Sequence, residues 1–363
     1  MTADIHTATR HGEPDSSWPA LPMSAVRDLI DAGGRLDRDD YRHRVREGTF
    51  LPLAEEGAGL AEAAAIAEER GRTLQPAPFV AANVVASAVR SYGSDVHVER
   101  VLAPLRQGDV IVTLAWTATA AGGHSATATA DGGGFVLDGH AELVQYGRDA
   151  DWLLVTADGG RGPVQFLVPT AAAGVRVTPT EALDGTRGLT RVDFDSVRLG
   201  AETVLGSAEH GARQEEEQLR LLVLLSAAET VGAMDRLFGS ALDYARRRHA
   251  FGRPIGSFQV VKHALVDASL ALETSKALIE ALIEAMDDGA DDAGEIASIV
   301  KSFIGRNGIE LAHIAWQTFG GIAYTWENDF HLYLRRITSD SALFGDVSWH
   351  HRRINRLHEE AGA

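Results

Sequence analysis

Hydrophobic periodicity changes twice along this chain, and each change sets which kind of element can follow. To about residue 108 apolar residues recur at helical spacing. "LPMSAVRDLIDAG" offers Ser24 as an N-cap. "LAEAAAIAEERGRTL" and "PFVAANVVASAVRSYG" are alanine-rich, with Pro76 and Pro78 as punctuation. From about 109 to 206 the runs are short and rich in β-branched and aromatic residues: "DVIVTLAW", "DWLLVTA", "PVQFLVP", "GVRVTP". No helix-length segment separates them, so antiparallel connections and a barrel or sandwich are expected. From about 208 long helical patterns return. Val261, Leu265, Ala268, Leu272, Ile279, Ile283 and Met286 mark one buried stripe, "DDGADDAG" interrupts it, and a further helix runs from about Glu295 to Gln317. Another helix starts near Thr325, with Glu327 as its cap. Long helices on short loops predict a four-helix bundle. The expected fold class is α+β and multidomain: a helical domain over 1–108, a middle β domain over 109–206 and a C-terminal bundle over 207–363.

Composition removes several functions. The 363 residues include no cysteine, which excludes disulfides, thiolate catalysis and iron–sulfur clusters and suits a cytoplasmic setting. The net charge of −17 argues against a nucleic-acid partner. No apolar run approaches the ~20 residues that span a bilayer, and "MTADIHTATRHGEPDSSW" lacks the apolar core of a secretory signal. His313, His331, His350 and His351 share no ligand spacing, so no metal site is expected.

Against this acidic background, "YARRRHAFGRPIGSFQ" (Tyr244–Gln259) carries three consecutive arginines. They are either a solvated helix end, favoured by the helix dipole, or an anion site. In "QTFGGIAYTWENDFHLYLRR" (Gln317–Arg336), Gly320 and Gly321 are either a helix stop or a place where a backbone meets something closely. Gln317 lies one turn before them. Gln259 is either a capping partner or a ligand contact. "FDSVRLGAETVLG" (Phe194–Gly206) closes the β stretch.

These three stretches, in this order and spacing, resemble the signatures of the acyl-CoA dehydrogenase family, and the resemblance runs from about residue 50. It implies that family's fold, FAD as cofactor and α,β-desaturation of an acyl-CoA, with an electron-transfer flavoprotein taking the electrons. By the same resemblance Arg248 holds the FAD diphosphate and Phe251 packs on flavin or adenine. Gln317, Gly320 and Gly321 meet the pyrophosphate or adenosine end, and Gln259 lies near adenine. Arg246 and Arg247 face solvent or acids.

The chain departs from the family pattern where the chemistry is done. The family's catalytic Glu falls on Gly345, and its alternative position on Leu222 or a neighbouring apolar residue. Asp346, one place on, and Glu229, inside an apolar helix face, are the remaining carboxylate candidates. Trp116 and Thr117 keep part of a flavin-contacting motif. Leu143, Val144 and Gln145 replace the Trp-Ile-Thr run that covers the flavin ring. The set donated to a neighbour is kept; the ring-holding set and the base are not. The resemblance therefore implies one subunit of an α2β2 enzyme, of the kind that actinobacteria use on steroid side-chain CoA thioesters. It would complete the FAD site of a second acyl-CoA dehydrogenase-like subunit that supplies the base. The alternatives are an active homotetramer using Asp346 or Glu229, a flavin-free structural subunit, and an oxygen-using flavin hydroxylase of the same fold.

Overall fold

Small side chains and glycines let the N-terminal helices pack closely onto the rest of the protein. The computed structural model describes residues 23–361 apart from 32, 33, 49, 56, 58, 120–122, 208, 326 and 327. Glu327 lies outside the described residues. The helices are α1 (Met23–Asp31), α2 (Arg38–Arg46), α3 (Leu60–Arg72) and α4 (Phe79–Tyr92), then α5 (Asp95–His97), a π-helical turn over Val98–Leu102, and α6 (Ala103–Arg106). α1 begins at Met23, so Ser24 lies within the helix rather than capping it. Asp37 caps α2, accepting from the backbone N–H of Asp39 at 2.9 Å. The alanine and valine content of α4 follows from burial: from Phe79 to Val89 all but Ser87 are buried.

The strands are β1 (Val112–Ala115), β2 (Ala126–Asp131), β3 (Gly134–Gln145), β4 (Trp152–Asp158), β5 (Pro163–Pro169), β6 (Val175–Pro179), β7 (Leu189–Leu199) and β8 (Val204–Leu205). Their order is β6-β7-β3-β2-β4-β5-β8, with β1 beside β4. One residue pair, Thr127 with Asp158, joins β2 to β4, so the sheet is two halves hinged at a single bridge. Not all of it is antiparallel: β1 pairs parallel with β4, from Val112–Trp152 to Ala115–Val155. The β2–β3 hairpin, inserted between them, is long enough to serve as the crossover that parallel strands need, so the wholly antiparallel sheet expected from the short connections does not form. β3 has a register shift between Ala141 and Val144, and Leu143 there takes φ +55.

The C-terminal part contains α7 (Gly211–Arg247), the two-stranded hairpin β9 (His249–Ala250) and β10 (Arg253–Pro254), and α8 (Gln259–Asp287). α9 (Ala293–Phe319), α10 (Phe330–Ala342) and α11 (Val347–Ala361) complete it. α7 packs against α3, α8, α9 and α10, and α11 packs on α9. Helices at both ends thus flank a central sheet. No helix among the described residues is long and apolar enough to cross a membrane.

Candidate functional site

Two exposed loops meet at one end of the bundle. α7 stops at Arg247, and Arg248 turns into the extended region (φ −74, ψ 122). The hairpin turns through Phe251 (φ 53) and Gly252 (φ 77), the double positive φ of a two-residue loop. Glycine takes this freely; a phenylalanine there costs about 1–3 kcal/mol. The strained Phe251 is 96% exposed, and its ring meets Phe258 edge-on at 6.2 Å. Arg246 and Arg247 both lie toward Asp243, at 3.8 and 4.0 Å. Arg248 is exposed and makes no ion pair among the described residues.

The second loop follows α9. Gly320 ends the helix at φ 65, ψ −141, a conformation reserved to glycine. A Cβ on Gly320 or Gly321 would meet nothing within 4 Å. Gly320 therefore fits the helix-stop reading, while no described residue crowds position 321. Gln317 and Gln259 are exposed. Neither amide is hydrogen-bonded among the described residues, and Gln259, the first residue of α8, caps nothing. The loops are tied together beneath their surface. Tyr244, one turn before Arg248, meets Phe319 edge-on at 5.5 Å, and Phe319 stacks on Phe330 at 3.6 Å.

The places where a catalytic carboxylate was sought are occupied otherwise. Gly345 has φ 95 and faces Trp349 and His350. Asp346 caps α11: its Oδ1 accepts from the Trp349 N–H at 2.7 Å. Leu222 is fully buried. His350, also buried, contacts the Phe344 carbonyl at 3.1 Å and the Ser298 hydroxyl at 3.2 Å. Burial, with Lys301 and Arg353 nearby, lowers its pKa to about 3, so the ring is neutral.

Glu229 belongs to a buried charge cluster that local sequence did not reveal. Arg187 pairs with Glu229 at 2.7 Å and Asp340 at 2.5 Å, and Arg336 donates to Asp184 at 2.6 Å. Burial would raise the Asp184 pKa, but Arg336 and Arg187 outweigh it and hold it below the usual range. Lys301 donates to the Asp340 carbonyl, and burial lowers its pKa to about 8. Arg70 sits between the rings of Phe50 and Phe79, 5.0 Å from each. These groups come from α3, the loop before β7, α7, α9 and α10, far apart in sequence. The one visible sign was an acid, Glu229, on an apolar helix face.

Trp116, Thr117, Leu143, Phe344 and Trp349 border a cleft of roughly 390 Å³. Trp116 meets Phe344 edge-on at 6.3 Å. The Thr117 hydroxyl is taken up inside the chain, 2.9 Å from His124 Nδ1 and donating to the Thr156 carbonyl. Val144 and Gln145 are buried, and only Leu143 of that run is exposed. Among the described residues no cluster of His, Cys, Asp and Glu could hold a metal ion.

Terminal helices around a central sheet are the architecture of the acyl-CoA dehydrogenase fold. The chain belongs to the acyl-CoA dehydrogenase family, and so to a family of oxidoreductases. The model for the acyl-CoA dehydrogenase C-terminal domain matches residues 209–357. The acyl-CoA dehydrogenase IpdE2 of Mycolicibacterium smegmatis is 28% identical over 298 residues, 82% of this chain and 79% of that protein. A variant of the Tcur3481-Tcur3483 steroid ACAD superposes with a TM-score of 0.86 at 26% identity, covering 94% of both chains. The ChsE4-ChsE5 complex of Mycobacterium tuberculosis shares the fold, with a TM-score of 0.85 at 24% identity over 94% of this chain and 93% of that one.

Proposed function

We propose that this chain is the base-less subunit of an FAD-dependent acyl-CoA dehydrogenase. It reaches out with Arg248, Phe251, Gln259, Gln317, Gly320 and Gly321 to complete a flavin site in a partner subunit. One contrast carries the reading: Arg248, Gln259 and Gln317 are exposed with no polar side-chain partner among the described residues, while Trp349 and His350 crowd the position of the missing Glu.

The donor set fits a dinucleotide. The in-plane N–H groups of Arg248 match a diphosphate. The Gln317 amide is free to bond, and open space over Gly320 and Gly321 lets a second backbone or a ligand come close. Phe251 presents a flat face to a heterocycle. FAD, when bound, accepts the hydride that the substrate gives up. Removing the α-proton of a thioester needs a carboxylate within hydrogen-bond reach. Asp346 and Glu229 are engaged as a helix cap and a buried ion pair, which leaves that base to the partner. The likeness to a two-component steroid ACAD supports an α2β2 assembly and a steroid side-chain CoA thioester as substrate. An electron-transfer flavoprotein is the expected electron acceptor.

Co-expression with an acyl-CoA dehydrogenase-like partner, followed by a count of bound flavin, tests this. Two FAD per α2β2 tetramer are expected, with no stoichiometric FAD on the chain alone. Stoichiometric FAD on the isolated chain, bleached by an acyl-CoA, would overturn the reading in favour of a homotetramer.

A further inference from the structure

We propose that Arg253 is a second anion contact beside Arg248, and that the two guanidinium groups grip the diphosphate of a dinucleotide between them. This rests on the subunit-seam reading above. The hairpin register sets Arg253 opposite Ala250 and Pro254 opposite His249. The ladder continues one pair further, with the Ile255 N–H donating to the Arg248 carbonyl at 2.8 Å. Successive side chains on a strand point to opposite faces, so Arg248, Ala250, Arg253 and Ile255 share a face. Arg248 and Arg253 are diagonal neighbours on it, ~7–8 Å apart at their bases. Two arginine stems of that spacing can converge on one diphosphate, and the small Ala250 between them leaves room.

Charge argues the same way. Like charges on one face of a hairpin repel unless something neutralises them. From Tyr244 to Gln259 there is no acidic residue, and Asp243, just before, is taken by Arg246 and Arg247. Arg248 and Arg253 are both exposed and make no ion pair among the described residues. In a chain of net charge −17 that is a local excess of positive charge. Arg253 is also held in place, with its Cζ 4.1 Å from the centre of the Phe258 ring. Stacking covers one face of the guanidinium and leaves its in-plane N–H groups free.

The test uses the assembled complex, stripped of flavin and titrated with FAD, then with ADP and adenosine as competitors. Arg253→Gln should weaken FAD about tenfold, the scale of one charge-assisted hydrogen bond. It should weaken ADP similarly and leave adenosine unchanged, a pattern that a merely structural role would not produce. Arg253→Lys should fall between, and Arg246→Gln should match the wild type. Unchanged FAD and ADP binding in Arg253→Gln, with a loss in Arg248→Gln, overturns this proposal and leaves the seam standing. No loss in either variant overturns the seam itself. Should Arg253→Gln not assemble, Arg253→Lys decides the matter, and wild-type FAD affinity there overturns the proposal.

Discussion

A Cβ built on Gly345 would lie 2.7 Å from Cε3 of Trp349 and 2.9 Å from Nε2 of His350. The position matched to the family's catalytic Glu thus has neither the backbone angle nor the space for a side chain, since Gly345 also sits at φ 95. Gly345→Glu is expected to lower stability by about 2–5 kcal/mol, from left-handed strain and overpacking together. Thermal unfolding would show it. The variant should gain no dehydrogenase activity of its own; a stable variant that desaturates an acyl-CoA unaided would refute this account of the site.

Glu229 is expected to act in folding and not in proton transfer. Glu229→Gln removes one partner from a buried arginine, a change that costs about 3–5 kcal/mol. Denaturant unfolding should register that loss, while the folded fraction of the complex keeps its turnover. A variant of unchanged stability and abolished turnover would make Glu229 the base.

The crossing of α3 and α7 depends on two glycines. A Cβ on Gly71 would fall 1.8 Å from the Glu229 carbonyl oxygen, and one on Gly232 the same distance from that of Glu68. Backbone cannot yield as a flexible side chain can, so Gly71→Ala and Gly232→Ala should each cost at least the ~1–3 kcal/mol of an overpacked core. Gly239, on the same helix with open space above it, is the control: Gly239→Ala should be neutral or stabilising, because alanine is the better helix former. Equal midpoints for all three variants would contradict the close crossing.

His350 should make the protein acid-sensitive. Its folded pKa is depressed to about 3, by burial first and then by Lys301, with Arg353 adding to that and the Phe344 carbonyl and Asp346 opposing it. The unfolded ring titrates near ~6.5. Between those values the unfolded chain binds the extra proton. This residue's contribution is therefore intact above ~6.5 and falls by about 1.4 kcal/mol per pH unit toward pH 3. Denaturation at pH 7, 6 and 5 should show a steeper decline for the wild type than for His350→Asn. Parallel declines would remove His350 as the cause.

Much of the architecture was readable because period and propensity are local properties. The stripe from Val261 to Met286 falls within one helix, α8, and the alanine-rich run at Phe79 is the buried α4. Arg248 was separated from Arg246 and Arg247 by the family resemblance, through its distance from Tyr244 and Phe251; that Asp243 lies beside the other two came from the structure. The parallel β1–β4 pair was not readable, since no residue in "DVIVTLAW" says which later strand lies beside it. Nor was the buried set of Arg70, Arg187, Arg336, Asp184 and Asp340, whose members look like ordinary surface charges until three segments, α3, the loop before β7 and α10, bring them together.

By itself the sequence determined the order of helical and β segments and which residues carry ligand-type side chains. Spacing along a strand or helix decides which side chains share a face, and it acts over a few residues. Only the tertiary structure decided which candidates are free to act. Packing of α11 against the turn at Phe344–Gly345 brings Trp349 and His350 to where a carboxylate was sought, and convergence of α7 with the loop before β7 turns Glu229 into a buried ion-pair partner. Those outcomes depend on contacts between distant segments, which no local pattern encodes.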